Sequence, residues 1–480
     1  MILNFKATYI VACAAILAVG IALADTPPAV ISATSTGNTG AGLNGIAATT
    51  TELLITQPYC AGNQARGIYL ENLGAGTSTL TTPLPERGVC SENYLAISPG
   101  LGGFTAGDTY ATGASTNTNN EAVYKNGALF IDNIPASFHH AGITFDASGT
   151  FGFDLVVTAE GSVNGYSSTG ALKFTYLAPA GFVLEGAVVV PLTDVACPGC
   201  LYVTAEKSSD VGSTNPTGPG AIYFVTPGTP SGSPLTFWSA TPGPEPEGLV
   251  YVGNNLSCSL PGANGAMFSY FVSGYATGAN IDNPNATTGA VLAYTPSQLA
   301  AYKGQLLVPN EGSIGKPGII YAFSGPGSST VFSTTAYQLE GSAILQCPSG
   351  GCPATFGFWK HHPFPFASAN IGCHIYTDVE LVAILNQNNA GGNAVTILGH
   401  QLIAAIANYA AGGKQTTAAT AAISASIALL CANNINMSTD FVQSGTTLGQ
   451  EMTNLANTLD AYNSATGLNC SEGSGLTLGN

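Results

Sequence analysis

The sequence predicts a mainly β protein: a six-bladed β-propeller followed by a small all-α domain. From about residue 52 to 346, short apolar runs of strand length recur between Gly, Pro, Asn and Ser residues. These runs return in similar local sequence with a loose period of about 40 to 60 residues, which is typical of propeller blades. Beyond residue 352 the apolar pattern becomes helical. A jelly roll or a stack of β-sandwiches is the alternative for the β region.

The first 24 residues read as a signal peptide. A short basic start, residues 1–6, precedes an uncharged stretch, and Ala22-Leu23-Ala24 has the small-x-small pattern of a cleavage site. The rival interpretation is a lipobox ending at Cys13. No later run approaches the roughly 18 apolar residues of a membrane span. We therefore predict no membrane span in the mature chain, and an extended leader over residues 25–50.

The composition indicates an exported protein and argues against nucleic acid as a partner. The formal charge of −16 includes only 10 basic residues, and a polyanion would be repelled. Loss of Cys13 with the signal leaves an even number of the 11 cysteines, which favours disulfides and a secreted or cell-surface location. The predicted pairs are Cys197–Cys200, Cys352–Cys470 and Cys373–Cys431.

The β-propeller is predicted over residues 51–347 from a repeated glycine. A glycine begins each of the similar apolar runs in residues 141–146, 185–190, 247–252, 303–308 and 340–345. Blade starts near Tyr94, Gly142, Gly186, Gly248 and Gly304 make five blades. The sixth would join the run at Gly341 to strands from residues 53–82, because such a closure removes exposed sheet edges.

This region resembles the six-bladed propellers of the NHL-repeat and gluconolactonase-like kinds. In the gluconolactonase-like propellers, a glutamate in a Glu-Gly context is a metal ligand. The resemblance therefore implies a metal-dependent hydrolase of the lactonase kind, in which a channel aspartate and asparagine also act. Asp146 and Asn254 are the candidates for those two roles in this sequence.

The helical domain is predicted over residues 353–472. Thr377-Asp-Val-Glu380 is a capping box, and helices are expected over residues 394–411, 416–432 and 448–463. Residues 355–363, which include Trp-Lys-His-His-Pro, resemble a helical domain at the end of bacterial secreted proteins. That family usually has Trp-Lys-Asn-His-Pro, so His361 replaces the Asn. The resemblance implies export and a bacterial source, and no reaction.

The candidate binding site is a set of residues that precede the blade glycines. Equivalent strand starts in a propeller meet at one mouth of its channel, so Glu185, Glu247 and Glu340 are expected to converge there. Lys303 occupies a fourth such place, and His140 stands beside a fifth. Three carboxylates suit one Ca²⁺, because hard cations take oxygen ligands. Alternatively, each Glu accepts amide hydrogen bonds from the next blade and Lys303 balances the charge.

The sequence leaves three functions open, and it identifies no catalytic residue. The leading prediction is an exported, non-catalytic propeller protein that binds a small molecule, a glycan or a surface protein. The first alternative is the lactonase-like hydrolase, which would use the channel-mouth carboxylates. The second is a structural cell-envelope protein, because only 8% of the residues are charged.

Overall fold

The protein is described by a computed structural model of the 480-residue chain. The described residues are 28–32, 34–35, 43–49, 51–56, 67–85, 92–115, 120–135, 141–192, 197–209, 218–254, 256, 258–276, 289–311, 316–345, 352–364, 368–388, 391–411, 413–414 and 416–465. They form a six-bladed β-propeller followed by helices, which confirms the predicted fold class.

Blades 1 to 3 are sheets of consecutive strands that run from the inner edge of the blade to its outer edge. Blade 1 contains Ile46–Ala48, Leu53–Thr56, Gly67–Asn72 and Thr77–Pro83, with Thr34–Ser35 parallel to its outer edge. Blade 2 contains Leu95–Ile97, Thr109–Ala114, Glu121–Lys125 and Ala128–Ile134. Blade 3 contains Ile143–Phe145, Leu155–Ala159, Ser162–Tyr166 and Leu172–Leu177.

The strands of blade 4 are again consecutive in the sequence, whereas the strands of blades 5 and 6 alternate along the chain. Blade 4 contains Phe182–Val189, Leu201–Lys207, Ala221–Val225 and Thr236–Ala240. Blade 5 begins with Val250–Tyr251 and continues with Leu306–Asn310, Gly318–Gly325 and Ser328–Thr335. Blade 6 contains Tyr337–Ile344, Tyr270–Ala276, Gly289–Tyr294 and Ala29–Ser32. The chain therefore builds two strands of blade 6 before it completes blade 5.

The ring closes differently from the predicted closure. The inner strand Tyr337–Ile344 pairs with Tyr270–Ala276, not with a strand from residues 53–82. Those residues form most of blade 1 instead. The N-terminal contribution to blade 6 is Ala29–Ser32, which pairs with Gly289–Tyr294 at the outer edge. Three segments of the predicted leader, residues 29–32, 34–35 and 46–48, are thus strands of the ring.

The predicted blade start at Gly304 is also wrong. The Gly304 N–H donates to the carbonyl of Val252, so Gly304 lies in the turn that enters the second strand of blade 5. Its local sequence resembles that of an inner strand because both strands are apolar and follow a glycine. The missing blade start is Gly45, which precedes the inner strand of blade 1.

The helical domain has the predicted helices to within a residue at each end. A short α1, Pro296–Leu299, belongs to the propeller, and α2 to α6 span Phe356–Trp359, Asp378–Leu385, Ala394–Ala410, Thr417–Ala432 and Thr447–Asn463. The Thr377–Glu380 capping box is present. Two β-hairpins are also present: Leu260–Pro261 with Met267–Phe268, and Ser368–Ile371 with His374–Thr377. Two short 3-10 helices, Ala263–Gly265 and Ala300–Tyr302, lie in the propeller. Among the described helices, none is both long and apolar enough to cross a membrane.

The tryptophan of the Trp-Lys-His-His-Pro segment belongs to the core of the helical domain. Trp359 is fully buried, and its Nε1 donates to Oδ1 of Asn408 at 3.0 Å. Asn408 in turn donates to Asn463 of α6 at 2.9 Å. Because a buried polar group needs a partner, this chain of hydrogen bonds fixes α2 and α6 against α4.

Two predicted disulfides are confirmed. Cys197 is bonded to Cys200, and Cys373 to Cys431, which joins a β-hairpin to α5. Cys352 is also disulfide-bonded. Its predicted partner, Cys470, lies outside the described residues, so that pairing stays a prediction.

Candidate functional site

A ring of backbone hydrogen bonds links the inner strands at one end of the channel. The N–H groups of Gly186, Gly248 and Gly341 each donate to a carbonyl of the next blade, at 3.0 to 3.3 Å. The accepting residues are Glu247, Glu340 and Asn44, in that order. Gly45 donates likewise to Asn93. The repeated pair of residues in the sequence is therefore the junction between neighbouring blades.

A hydroxyl group on the second strand reinforces most of these junctions. Thr204 Oγ1 donates to the Glu247 carbonyl at 2.8 Å, and Thr158 Oγ1 donates to the Glu185 carbonyl at 2.5 Å. Thr56 and Ser273 make the same contact in blades 1 and 6. In blade 5 the place is taken by Pro309, whose carbonyl accepts from the Glu247 N–H. The backbone carbonyls of Glu247 and Glu340 therefore accept N–H groups of a neighbouring blade, and that of Glu185 accepts the Thr158 hydroxyl.

Close approach of the next blade explains why glycine recurs. A Cβ atom at Gly186 would lie 2.5 Å from the carbonyl oxygen of Glu247. The same overlap, with an atom of the next blade under 3.0 Å away, would arise at Gly45, Gly142, Gly248 and Gly341. Real Cβ contacts are longer, so only glycine lets the inner strands pack this closely.

Three carboxylates meet inside this ring. Glu92, Glu185 and Glu247 each offer one carboxylate oxygen, and these oxygens all lie within 4.8 Å of one another. Their exposed fractions are 9%, 0% and 4%. Glu185 and Glu247 belong to the predicted set, whereas Glu92 stands one residue before the position of blade 2 that corresponds to them. We refer to Glu92, Glu185 and Glu247 as the carboxylate cluster.

The third predicted glutamate lies beside the cluster, with a partner of its own. The side-chain amide of Asn44 donates to Oε2 of Glu340 at 3.0 Å. Glu340 is 1% exposed, and its charge still raises the pKa of Glu247. The structure thus brings all three predicted glutamates to one end of the channel, and it ties Glu340 to blade 1.

Burial and mutual repulsion favour the neutral form of Glu247. Burial raises the pKa of its carboxyl group well above the usual value, and the charges of Glu185, Glu340 and Glu92 raise it further. The Tyr94 hydroxyl donates a hydrogen bond to Glu247 Oε2 at 2.7 Å. Burial and the same carboxylates raise the pKa of Tyr94 well above its usual value, so its phenol stays a hydrogen-bond donor.

A second acidic group extends the site around the channel. Glu311 Oε1 accepts a hydrogen bond from the Tyr275 hydroxyl and another, at 2.9 Å, from the side-chain amide of Gln338. The charges of Glu311 and Glu340 both raise the pKa of Tyr275, after burial. This end of the channel therefore gathers five carboxyl groups, those of Glu92, Glu185, Glu247, Glu311 and Glu340, which favours a cation over an anion.

Lys303, which was also predicted to bind, does not join the cluster. Lys303 is exposed. Glu247 precedes the inner strand of blade 5, whereas Lys303 lies near the other end of that strand, where Gly304 contacts Val252. It was misplaced because Gly304 is not a blade start. His140 lies outside the described residues.

The two residues expected for a lactonase lie at the far end of the channel. Asp146 and Asn254 both follow the inner strands of their blades, whereas Glu92 and Glu247 precede theirs and Glu185 lies in the first half of its strand. Asp146 is fully buried, and its carboxylate accepts the backbone N–H groups of Ser148, Gly149, Phe151 and Phe153. Its contacts therefore order a loop.

Asn44, Glu92 and Tyr94, which belong to the carboxylate cluster or contact its members or neighbours, were not in the predicted set. Asn44 precedes Gly45 and a short apolar run, so its local sequence did contain the repeated pattern. Glu92 and Tyr94 had no such signal, because blade 2 has Asn93-Tyr94 where the other blades have a residue followed by glycine.

No protein-family model matches the chain, and neither does any curated protein.

Proposed function

We propose that this chain is an exported, non-catalytic propeller protein that holds a divalent cation, Ca²⁺, at the carboxylate cluster and uses it to bind a ligand at the channel mouth. The observation that carries the proposal is the convergence of Glu92, Glu185 and Glu247 within 4.8 Å. Export rests on the signal-peptide pattern and on the resemblance of the helical domain. The gluconolactonase-like resemblance supports a metal at a Glu-Gly position.

The spacing of the cluster suits one ion of this kind. Calcium binds six to eight oxygen ligands at roughly 2.3 to 2.6 Å, so two oxygens on the same ion are at most about 5 Å apart. An all-oxygen ligand set favours Ca²⁺ over Zn²⁺, which prefers nitrogen and sulfur. Three carboxylates leave coordination positions open. Oxygen atoms of a small molecule, a glycan or a surface protein can occupy those positions.

Protonation of a carboxylate is the alternative to a bound cation as a way of reducing the repulsion among the three carboxylates. A Glu247 carboxyl with a raised pKa is neutral over a wider pH range, which requires no metal. The two explanations differ in how stability depends on pH. A raised folded-state pKa means that stability is present at low pH and is lost as the pH rises through that pKa. A bound cation would suppress this loss, because it binds only the folded state.

The test is thermal unfolding of the mature protein with EDTA and with Ca²⁺, between pH 5 and 8. We expect Ca²⁺ to raise the melting temperature, most strongly at the high end of this range. A saturating ligand at about 100 times its Kd stabilises by about 2.7 kcal/mol. Equal melting temperatures with EDTA and with Ca²⁺ at every pH would contradict the proposal.

Two matched variants separate the structural cluster from the set predicted by sequence. Glu92→Gln removes a member of the cluster, whereas Glu340→Gln removes a neighbour that Asn44 holds. We expect Glu92→Gln to weaken Ca²⁺ binding at least tenfold by calorimetry, and Glu340→Gln to change it much less. The reverse order would place the ion among the residues predicted from sequence.

A further inference from the structure

The channel contains a cavity of about 420 Å³. It lies beyond the ring of backbone hydrogen bonds made by the blade glycines, on the side away from the carboxylate cluster. The inner strands of all six blades line this chamber. Residues that contribute side chains to it include Ile46, Leu95, Ile143, Val189, Leu249 and Leu345. The cavity lies beyond the positions at which glycine lets the inner strands pack closely.

The helical domain forms the floor of the chamber. Ile406, Tyr409 and Ile423, from α4 and α5, line it together with the inner strands. The Ser424 hydroxyl, also on α5, donates to the Gly149 carbonyl of the propeller at 2.9 Å. Leu192 of the propeller is part of the hydrophobic core of the helical domain. These contacts hold the floor in place.

The lining of the chamber is neutral. Its described lining residues include no Asp, Glu, Lys, Arg or His, and the polar side chains among them are few: Thr144, Ser148, Tyr251, Asn254, Ser342 and Tyr409. A charged ligand would lose its hydration there and find no charged partner among these residues. An apolar ligand gains about 25 cal/mol for each Å² of apolar surface that it buries.

We propose that the chamber is a binding site for one uncharged, mainly apolar small molecule. Its volume falls within the roughly 300–1,000 Å³ of small-molecule sites, and such sites combine an apolar lining with a few polar groups. The site differs from the carboxylate cluster in position and in chemistry, so it does not depend on a bound cation. Since both domains line it, the ligand also joins the helical domain to the propeller.

The test uses the mature full-length protein and the neutral probe N-phenyl-1-naphthylamine, whose fluorescence rises in apolar surroundings. We expect saturable binding of one probe per chain and a higher melting temperature with the probe, unchanged by EDTA. The independence from EDTA separates this site from the proposed cation site. Absence of saturable binding would overturn the proposal.

Cavity-filling variants locate the bound probe. Ala187 and Ala343 line the chamber in blades 4 and 6, with exposed fractions of 7% and 9%. Ala187→Leu and Ala343→Leu should each weaken probe binding at least tenfold while the protein stays folded, because added methyl groups occupy the ligand's volume. Ala128→Leu, on the exposed outer strand of blade 2, is the matched control. Equal binding by folded variants and control would place the probe elsewhere.

Discussion

At the scale of single residues, burial sets the state of the acidic groups in this protein. The chain has 10 Lys and Arg residues against 26 Asp and Glu, so its cations are too few to pair with every carboxylate. Glu247 in the channel and Glu71 in blade 1 both have raised pKa values, and burial is the largest cause for each. The stability of the fold should therefore decrease as these groups ionise.

Glu71 offers a test of this effect outside the channel. It is 5% exposed, and burial raises its pKa to about 7, against the lowering effect of the hydrogen bond that Ser78 donates at 2.7 Å. Its contribution to stability is present below pH 4.5 and is lost as the pH rises through about 7. At about 1.4 kcal/mol for each unit of pKa, a rise from 4.5 to about 7 sets an upper limit of about 3.5 kcal/mol. Glu71→Gln should therefore stabilise the protein by up to this amount at pH 8 and change little at pH 4.5.

Urea unfolding at both pH values measures this difference. Glu451→Gln, at an exposed position of α6, is the control and should have the same effect at both. A pH-independent effect of Glu71→Gln would mean that this carboxylate does not titrate differently in the folded and unfolded states.

At the scale of elements, the junction between blades is a backbone contact that permits no side chain. In blades 1, 4, 5 and 6 the N–H of the glycine donates to a carbonyl of the next blade. In blades 3 and 4 a threonine hydroxyl of the second strand also donates to a carbonyl of the next blade. The glycines are therefore required by the packing of one sheet against another. The turn conformation of each blade does not require them, because the φ values of Gly142, Gly186, Gly248 and Gly341 are not positive.

Gly186→Ala tests this interpretation. The new methyl group would meet backbone atoms of Glu247 and Leu249 in the next blade, and such overpacking typically lowers stability by about 1–3 kcal/mol. Gly161→Ala is the control, because nothing lies within 4 Å of the added Cβ there, and it should be neutral or stabilising. Thermal unfolding of the two variants measures the difference. Equal melting temperatures would mean that the blades can separate at no cost.

At the scale of the whole molecule, the ring is closed by segments from its two ends and its middle. Blade 6 combines Ala29–Ser32, two strands from residues 270–294, and Tyr337–Ile344. Since blade 5 is completed between those strands, the two blades cannot form one after the other. We infer that closure of the ring is a late and cooperative step, because it joins residues distant in sequence.

Removal of the N-terminal strand tests this closure. A mature chain that begins at Ala33 lacks Ala29–Ser32, so it exposes the edge of Gly289–Tyr294, whose residues are all buried. We expect a lower melting temperature and association between molecules, because an unpaired apolar edge recruits other strands. A chain that begins at Pro28 keeps the strand and is the control. Two monomers with equal melting temperatures would show that the strand does not close the ring.

Much of the architecture was predictable from local sequence. Strand lengths, the Thr377–Glu380 capping box and five of the six blade starts follow from short-range patterns, since glycine, proline and capping residues act on their immediate neighbours. The error at Gly304 has the same origin. Its surroundings in the sequence match an inner strand, and only the partner of that strand, Val250–Tyr251, reveals that it is the second strand of blade 5.

Contacts between residues distant in the sequence determine which residues form the site, and a local sequence pattern does not reveal such contacts. Asn44 reaches Glu340 across 296 positions of the sequence, and Tyr94 reaches Glu247 across 153. The repeated acid before glycine was sufficient to predict that Glu185 and Glu247 share one end of the channel, because equivalent positions in a ring face a common axis. Packing of the sheets and of the two domains decides the rest: Glu92 lies in the cluster, Lys303 lies outside it, and helices form the floor of the chamber. Local sequence does not contain this information, because the surfaces that pair are distant in sequence.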